Sequence, residues 1–230
     1  MAILASRATR PVRWRRNLRA ACFWLALALG TAAVAKELAG PLFYALMLPP
    51  LVLSAREYIR ALGARDGGRL AERVADNLTT ALGPQYVVLT EYAPRDGGPV
   101  VPIVVVGPSG ICAIEPIGED AVFGCYNDGW HRIETQGLRH LAESPSRHAR
   151  DNATRVRTDI SSGHIRTNVD AYVLLERGSG DDCASSPVPV VCGVEALAER
   201  IRSRAVRSET SARQVQAVAD ALTHPLAVAV

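Results

Sequence analysis

Residues 100–117 read Val-Val-Pro-Ile-Val-Val-Val-Gly-Pro-Ser-Gly-Ile-Cys-Ala-Ile-Glu-Pro-Ile, two short apolar runs joined by Gly107-Pro108-Ser109-Gly110. β-Branched side chains are stiff in a helix but pack well on a pleated sheet. Runs this short, punctuated by Gly and Pro, predict two buried antiparallel strands rather than a helix. Whatever this chain folds into is built around that hairpin.

The flanking sequence supplies the rest of an α/β pattern. Leu70, Val74, Leu78 and Leu82 recur every fourth residue and mark a helix face that Gly83-Pro84 ends. Strands are expected over 86–92, 121–126, 130–134, 169–175 and 188–191, with hairpin chemistry at Asn127-Asp128-Gly129. Ala149, Ala153, Val156 and Ile160 mark another helix face, and two helices, 194–206 and about 210–222, close the chain. A helix, a mainly β middle and then helix, strand, helix predict an α/β sandwich.

Charge is distributed unevenly. Residues 1–65 carry nine arginines and one lysine against two acids, whereas residues 66–230 carry sixteen arginines against twenty-one acids. A polyanion binder usually shows its basic surplus in the domain that binds, and residues 66–230 show none. Lys36 is the only lysine, so no lysine serves any site in that region.

The positive charge instead flanks apolar sequence. Six arginines, from Arg7 to Arg19, precede an apolar run over 20–35; a second run over 41–55 is followed by Arg56, Arg60 and Arg65. Begun at Leu18, the first run gives eighteen helical residues, roughly 27 Å, which just covers the hydrocarbon. The second contains Pro49-Pro50 and is expected to be kinked, tilted or re-entrant. The expectation is a transmembrane helical hairpin over 1–65, touching the bilayer through residues 18–59, in the inner membrane with residues 66–230 cytoplasmic. Two other readings remain: a helical pair packed on the domain, or a signal peptide cleaved near Ala33-Val34-Ala35. The cysteines show no Cys-x-x-Cys spacing, which points to reduced residues and no zinc site; Cys112 and Cys125, on successive strands, are expected to lie close.

The hairpin of 100–117 also resembles the centre of the NERD (nuclease-related) domain, a branch of the restriction-endonuclease-like fold. That family typically has Ile-Asp-His before Val-Val-Val-Gly-Pro-Ser-Gly and Glu-x-Lys at the end of the next strand; here Val101-Pro102-Ile103 and Glu115-Pro116-Ile117 stand there. Gly68-Arg69-Leu70-Ala71-Glu72 resembles the family's Gly-x-x-Gly-Glu helix start, and Trp130 its tryptophan after the catalytic strands. Ser144-Pro145-Ser146-Arg147-His148 resembles Asn-Pro-x-x-Gln, with His148 at the glutamine and Asn152 matching a later asparagine. The likeness covers about residues 66–200.

The resemblance implies a restriction-endonuclease-like sandwich with a mixed, mainly antiparallel central sheet. In active members an aspartate and the Glu of Glu-x-Lys hold a divalent metal, usually magnesium, which takes hard oxygen ligands. Lysine polarises the attacking water or stabilises developing charge. Pro102 brings no side-chain oxygen and Ile117 no charge, so the catalytic positions that remain are Glu72, Glu115 and His148. Each also has a plain structural reading: Glu115 as a strand-end carboxylate, Glu72 as a first-turn acid on a helix dipole, and His148 as a surface or capping residue. Arg147, Arg150 and Arg157 form the one local basic face that nucleic acid could use.

Two functional classes follow. In the first, a membrane-anchored, catalytically inactive NERD-like domain needs no cofactor and binds a protein or nucleic acid. In the second, it is a magnesium-dependent nuclease whose ligands have moved, with Asp96, Glu119 or Asp120 replacing the lost carboxylate and Arg132 the lysine.

Overall fold

The structure, a computed structural model, describes residues 3–6, 18–30, 48–161, 168–181, 183–204 and 212–223. The chain forms two compact units, Ala8–Arg69 and Met1–Arg7 together with Leu70–Val230.

In the larger unit, β-branched runs become the middle of a six-stranded sheet in the order β1-β2-β3-β4-β8-β10. Its strands are β1 (Ile3–Ser6), β2 (Val87–Tyr92), β3 (Val101–Gly107), β4 (Gly110–Ile117), β8 (Val169–Leu175) and β10 (Val190–Cys192). β2, β3 and β4 pair antiparallel, while β1 on β2, β8 on β4 and β10 on β8 are parallel. The expectation of a mainly antiparallel central sheet is therefore corrected: strands returning after long connections enter parallel. A second sheet, ordered β7-β6-β5-β9, contains β5 (Val122–Tyr126), β6 (Gly129–Glu134), β7 (Gly137–His140) and β9 (Ser179–Asp181). Asn127 takes φ +52° in the tight β5–β6 turn, a conformation that asparagine tolerates.

Helices cover both faces of the large sheet. On one side Val74, Ala75, Leu78 and Leu82 of α2 (Leu48–Leu82) and Leu197, Ala198 and Ile201 of α4 (Val194–Ser203) bury Ile103, Val105 and Ile114. On the other, Ala153, Val156 and Ile160 of α3 (Pro145–Ser161) and Val215, Val218 and Leu222 of α5 (Ala212–Thr223) bury Val104, Val106 and Ala113. Alternation along the strands sends successive side chains to these two layers. Cys112 belongs to the first layer and Cys125 to a third cluster beneath the small sheet, so the expectation that they are close is corrected. All the cysteines are free thiols.

The expected transmembrane hairpin and its inner-membrane localisation are overturned: among the described residues no helix is long and apolar enough to cross a membrane. Of the first apolar run, residues 18–30 are described, as helix α1. Residues 31–35 and 41–47 of the two runs lie outside the described residues. The second run enters α2, which is long enough, but Arg56, Glu57, Arg60, Arg65 and Asp66 follow within it. Pro49 and Pro50 occupy its first turn, where a missing N–H is tolerated, so they start the helix instead of kinking it. Within this smaller unit Ser54 Oγ donates to the Ala21 carbonyl at 3.0 Å, joining α1 to α2.

Candidate functional site

Pairing at Pro102 is interrupted on both sides. Ile103 faces Ile114 across β3–β4, so the next position sets Pro102 opposite Glu115. Thr90 faces Ile103 and Tyr92 faces Val101, which leaves Glu91 level with Pro102. Proline offers no N–H, and Glu91 adopts φ +53°, off the extended strand conformation. The side-chain alternation slips there: Val101 and Tyr92 join the layer of Val104 and Val106, while Ile103 stays in the opposite layer. β3 lies between β2 and β4, so Pro102 produces a local irregularity in a central strand and not an edge.

Glu115 shares the face of Ile111 and Ala113 on β4, the side covered by α3. Asn152 Nδ2 donates to Glu115 Oε2 at 2.8 Å, and Arg155 donates to Asn152 Oδ1 at 3.2 Å. Burial raises the Glu115 carboxyl from 4.5 to about 7; the Asn152 hydrogen bond opposes that rise and the Glu143 charge adds to it. The group can give or take a proton near neutrality.

The other expected residues do not complete a metal site. Pro102 carries no donor. Ile117, at the lysine position, packs against the cluster of Phe123, Cys125 and Trp130. Glu72 is exposed on α2, whose buried side covers the opposite layer of the sheet, and no hydrogen bond or ion pair joins it to Glu115. His148 lies one turn before Asn152 with Nε2 3.8 Å from Glu143, so the asparagine, not the histidine, reaches Glu115. Among the described residues no three His, Cys, Asp or Glu side chains are gathered to hold a metal. The residues present do not fit magnesium.

Two of the three candidate carboxylate replacements are engaged elsewhere. Asp96 Oδ1 accepts the Gly98 N–H at 2.8 Å in its own turn. Glu119 pairs with Arg132 at 3.2 Å on the surface, and Asp120 is exposed.

The basic face of α3 is divided in the same way. Arg150 is held by Asp128 at 2.5 Å, while Arg147 and Arg157 are exposed. Asp128 also accepts from Ser146 Oγ at 2.7 Å, and Ser146 Oγ in turn accepts from the indole N–H of buried Trp130 at 3.0 Å. The Ser146 hydrogen bond and the Arg150 guanidinium hold Asp128 below its usual value. This network fastens the β5–β6 hairpin to the first turn of α3.

Sequence reasoning passed over Asp159, which is buried on α3 and accepts from the Tyr92 hydroxyl at 2.5 Å and the Arg95 N–H at 3.0 Å. Its signal was an acid on the apolar face formed by Val156 and Ile160, where a buried carboxylate needs partners.

Comparison of the chain with family models, with curated proteins and with solved structures finds no match.

Proposed function

We propose that the larger unit is a nuclease-related, NERD-like domain that has lost metal-dependent cleavage and acts by binding a protein or nucleic acid. The observation that carries this reading is Pro102 opposite Glu115: the position where the resemblance places a metal-binding aspartate holds a residue with no donor atom. Three further features support it. Ile117 is packed among apolar side chains, the Glu115 carboxyl is hydrogen-bonded by Asn152, and Glu72 is turned to solvent. Restoring cleavage would require both a carboxylate and a cation, and Arg132 is already paired with Glu119.

Cleavage of plasmid and linear DNA by the full-length protein tests the reading, with magnesium or manganese and with Glu115→Ala and Glu72→Ala alongside. The expected result is no metal-dependent cleavage by any of the three. Cleavage that disappears in Glu115→Ala would overturn the reading.

A further inference from the structure

We infer that the outer edge of β8 is a docking slot for an extended acidic peptide segment of a partner protein, which adds to the large sheet as a strand. The inference rests on the binding-module reading and names the partner class for it.

β4 pairs with the whole of β8, Val169–Leu175, whereas β10 pairs only with Val173–Leu175. The Val173 N–H donates outward to the Pro189 carbonyl at 3.1 Å. Residues two apart on a strand direct their backbone groups the same way, so Ala171 and Val169 also present N–H and C=O to the outer edge. No described strand meets them there. The chain itself leaves the ladder at this point because Pro187 and Pro189, before β10, have no N–H to contribute.

The result is an open cavity of about 560 Å³ beside that edge, bounded by Pro187–Pro189 and by α4. Its charge is unbalanced. Among the described residues, Arg150, Arg200 and Arg204 line it with a single acid, Asp170, which ion-pairs with Arg204. Arg150 is held by Asp128. Arg200 is exposed, lines the cavity together with Tyr172 and has no carboxylate partner among the described residues. An entering segment thus meets alternating backbone donors and acceptors beside a guanidinium that no carboxylate among the described residues pairs.

That pairing of features selects a peptide. A phosphate or a nucleic-acid backbone offers acceptors that suit Arg200 but no donor at the spacing the Ala171 carbonyl needs. An extended peptide supplies both along one edge, with same-face side chains repeating about every 6.6 Å, so acidic residues fall on the α4 side.

Isothermal titration of the full-length protein with an alternating valine–glutamate hexapeptide tests the inference. Controls are the valine–lysine peptide, inorganic phosphate, and the valine–glutamate peptide N-methylated at every second residue in each of the two registers. The valine–glutamate peptide is expected to bind, the lysine peptide to bind at least about tenfold more weakly, and one N-methylated register to lose about tenfold while the other does not. Arg200→Gln, on an exposed position of α4, is expected to weaken binding about tenfold with its circular dichroism and thermal midpoint unchanged. Equal binding of both N-methylated peptides would overturn strand addition, and full displacement of the peptide by phosphate would overturn the peptide as the ligand. Absence of binding at millimolar peptide would overturn the slot altogether. DNA cleavage by the same preparation counts against the binding-module reading alone, so the two failures are distinguishable.

Discussion

Asn152 Nδ2 donates a 2.8 Å hydrogen bond to the Glu115 carboxylate and so ties α3 to β4 at the strand position that faces Pro102. Buried against the helix, that carboxyl sits at about 7 in the folded protein against 4.5 ordinarily. A raised carboxyl destabilises the fold where the unfolded chain ionises first. Below about pH 4.5 both states hold the proton and nothing is lost; between there and about pH 7 stability falls as pH rises; above it the loss is complete. The total is on the order of 3 kcal/mol. Glu115→Gln keeps the acceptor for Asn152 and removes the charge. It is expected to abolish this decline and to be the more stable protein on the alkaline side, as read by urea denaturation across that range.

The serine between Trp130 and Asp128 serves two partners at once, accepting from the indole at 3.0 Å and donating to the carboxylate at 2.7 Å. Ser146→Ala leaves the buried indole N–H without its acceptor and is expected to cost about 1–3 kcal/mol in denaturant unfolding. It also removes the first cause of the low Asp128 value. Asp128 stabilises the fold above its unfolded value, and that contribution is lost as pH falls through the folded one. The variant is therefore expected to lose less stability than the wild type on acidification. An equal acid loss in both proteins would show that Ser146 does not tune Asp128.

At the end of β3, a Cβ on Gly107 would lie 2.0 Å from Cδ1 of the Tyr86 ring. Tyr86 is buried and its hydroxyl lies 3.3 Å from Ser109 Oγ in the β3–β4 turn, so the ring cannot withdraw freely. Gly107→Ala is expected to destabilise by about 1–3 kcal/mol through overpacking. Gly107→Ala combined with Tyr86→Ala should recover part of that loss, a coupling a double-mutant cycle measures.

Much of the local structure was legible because its cause is local. The runs around Gly107-Pro108-Ser109-Gly110 became β3 and β4, 169–175 became β8, and Gly83, with φ +89°, ended α2 at Leu82. Short elements were missed: β7 has four exposed residues and no apolar alternation, and β9 is Ser-Gly-Asp. The site was legible in residue type only. Glu115 was singled out, but its partner is thirty-seven residues away on a helix, where Asn152 and not His148, the position named as catalytic, reaches the carboxyl.

By itself the sequence determined where backbone conformation is limited by its own side chains: β-branched runs as strands, glycine and asparagine at the positive-φ turns, and apolar four-residue spacing as helix faces. It determined equally what chemistry is missing, since no folding can give Pro102 an oxygen or Ile117 a charge. Only the tertiary structure decided the parallel entry of β8 and β10 and the assignment of Cys112 and Cys125 to different cores. Composition counts apolar residues, but pairing between distant segments and the termination of a helix depend on which surfaces meet. Glu115 takes its near-neutral carboxyl from the same source, because burial belongs to the assembled layers and not to the strand that carries it.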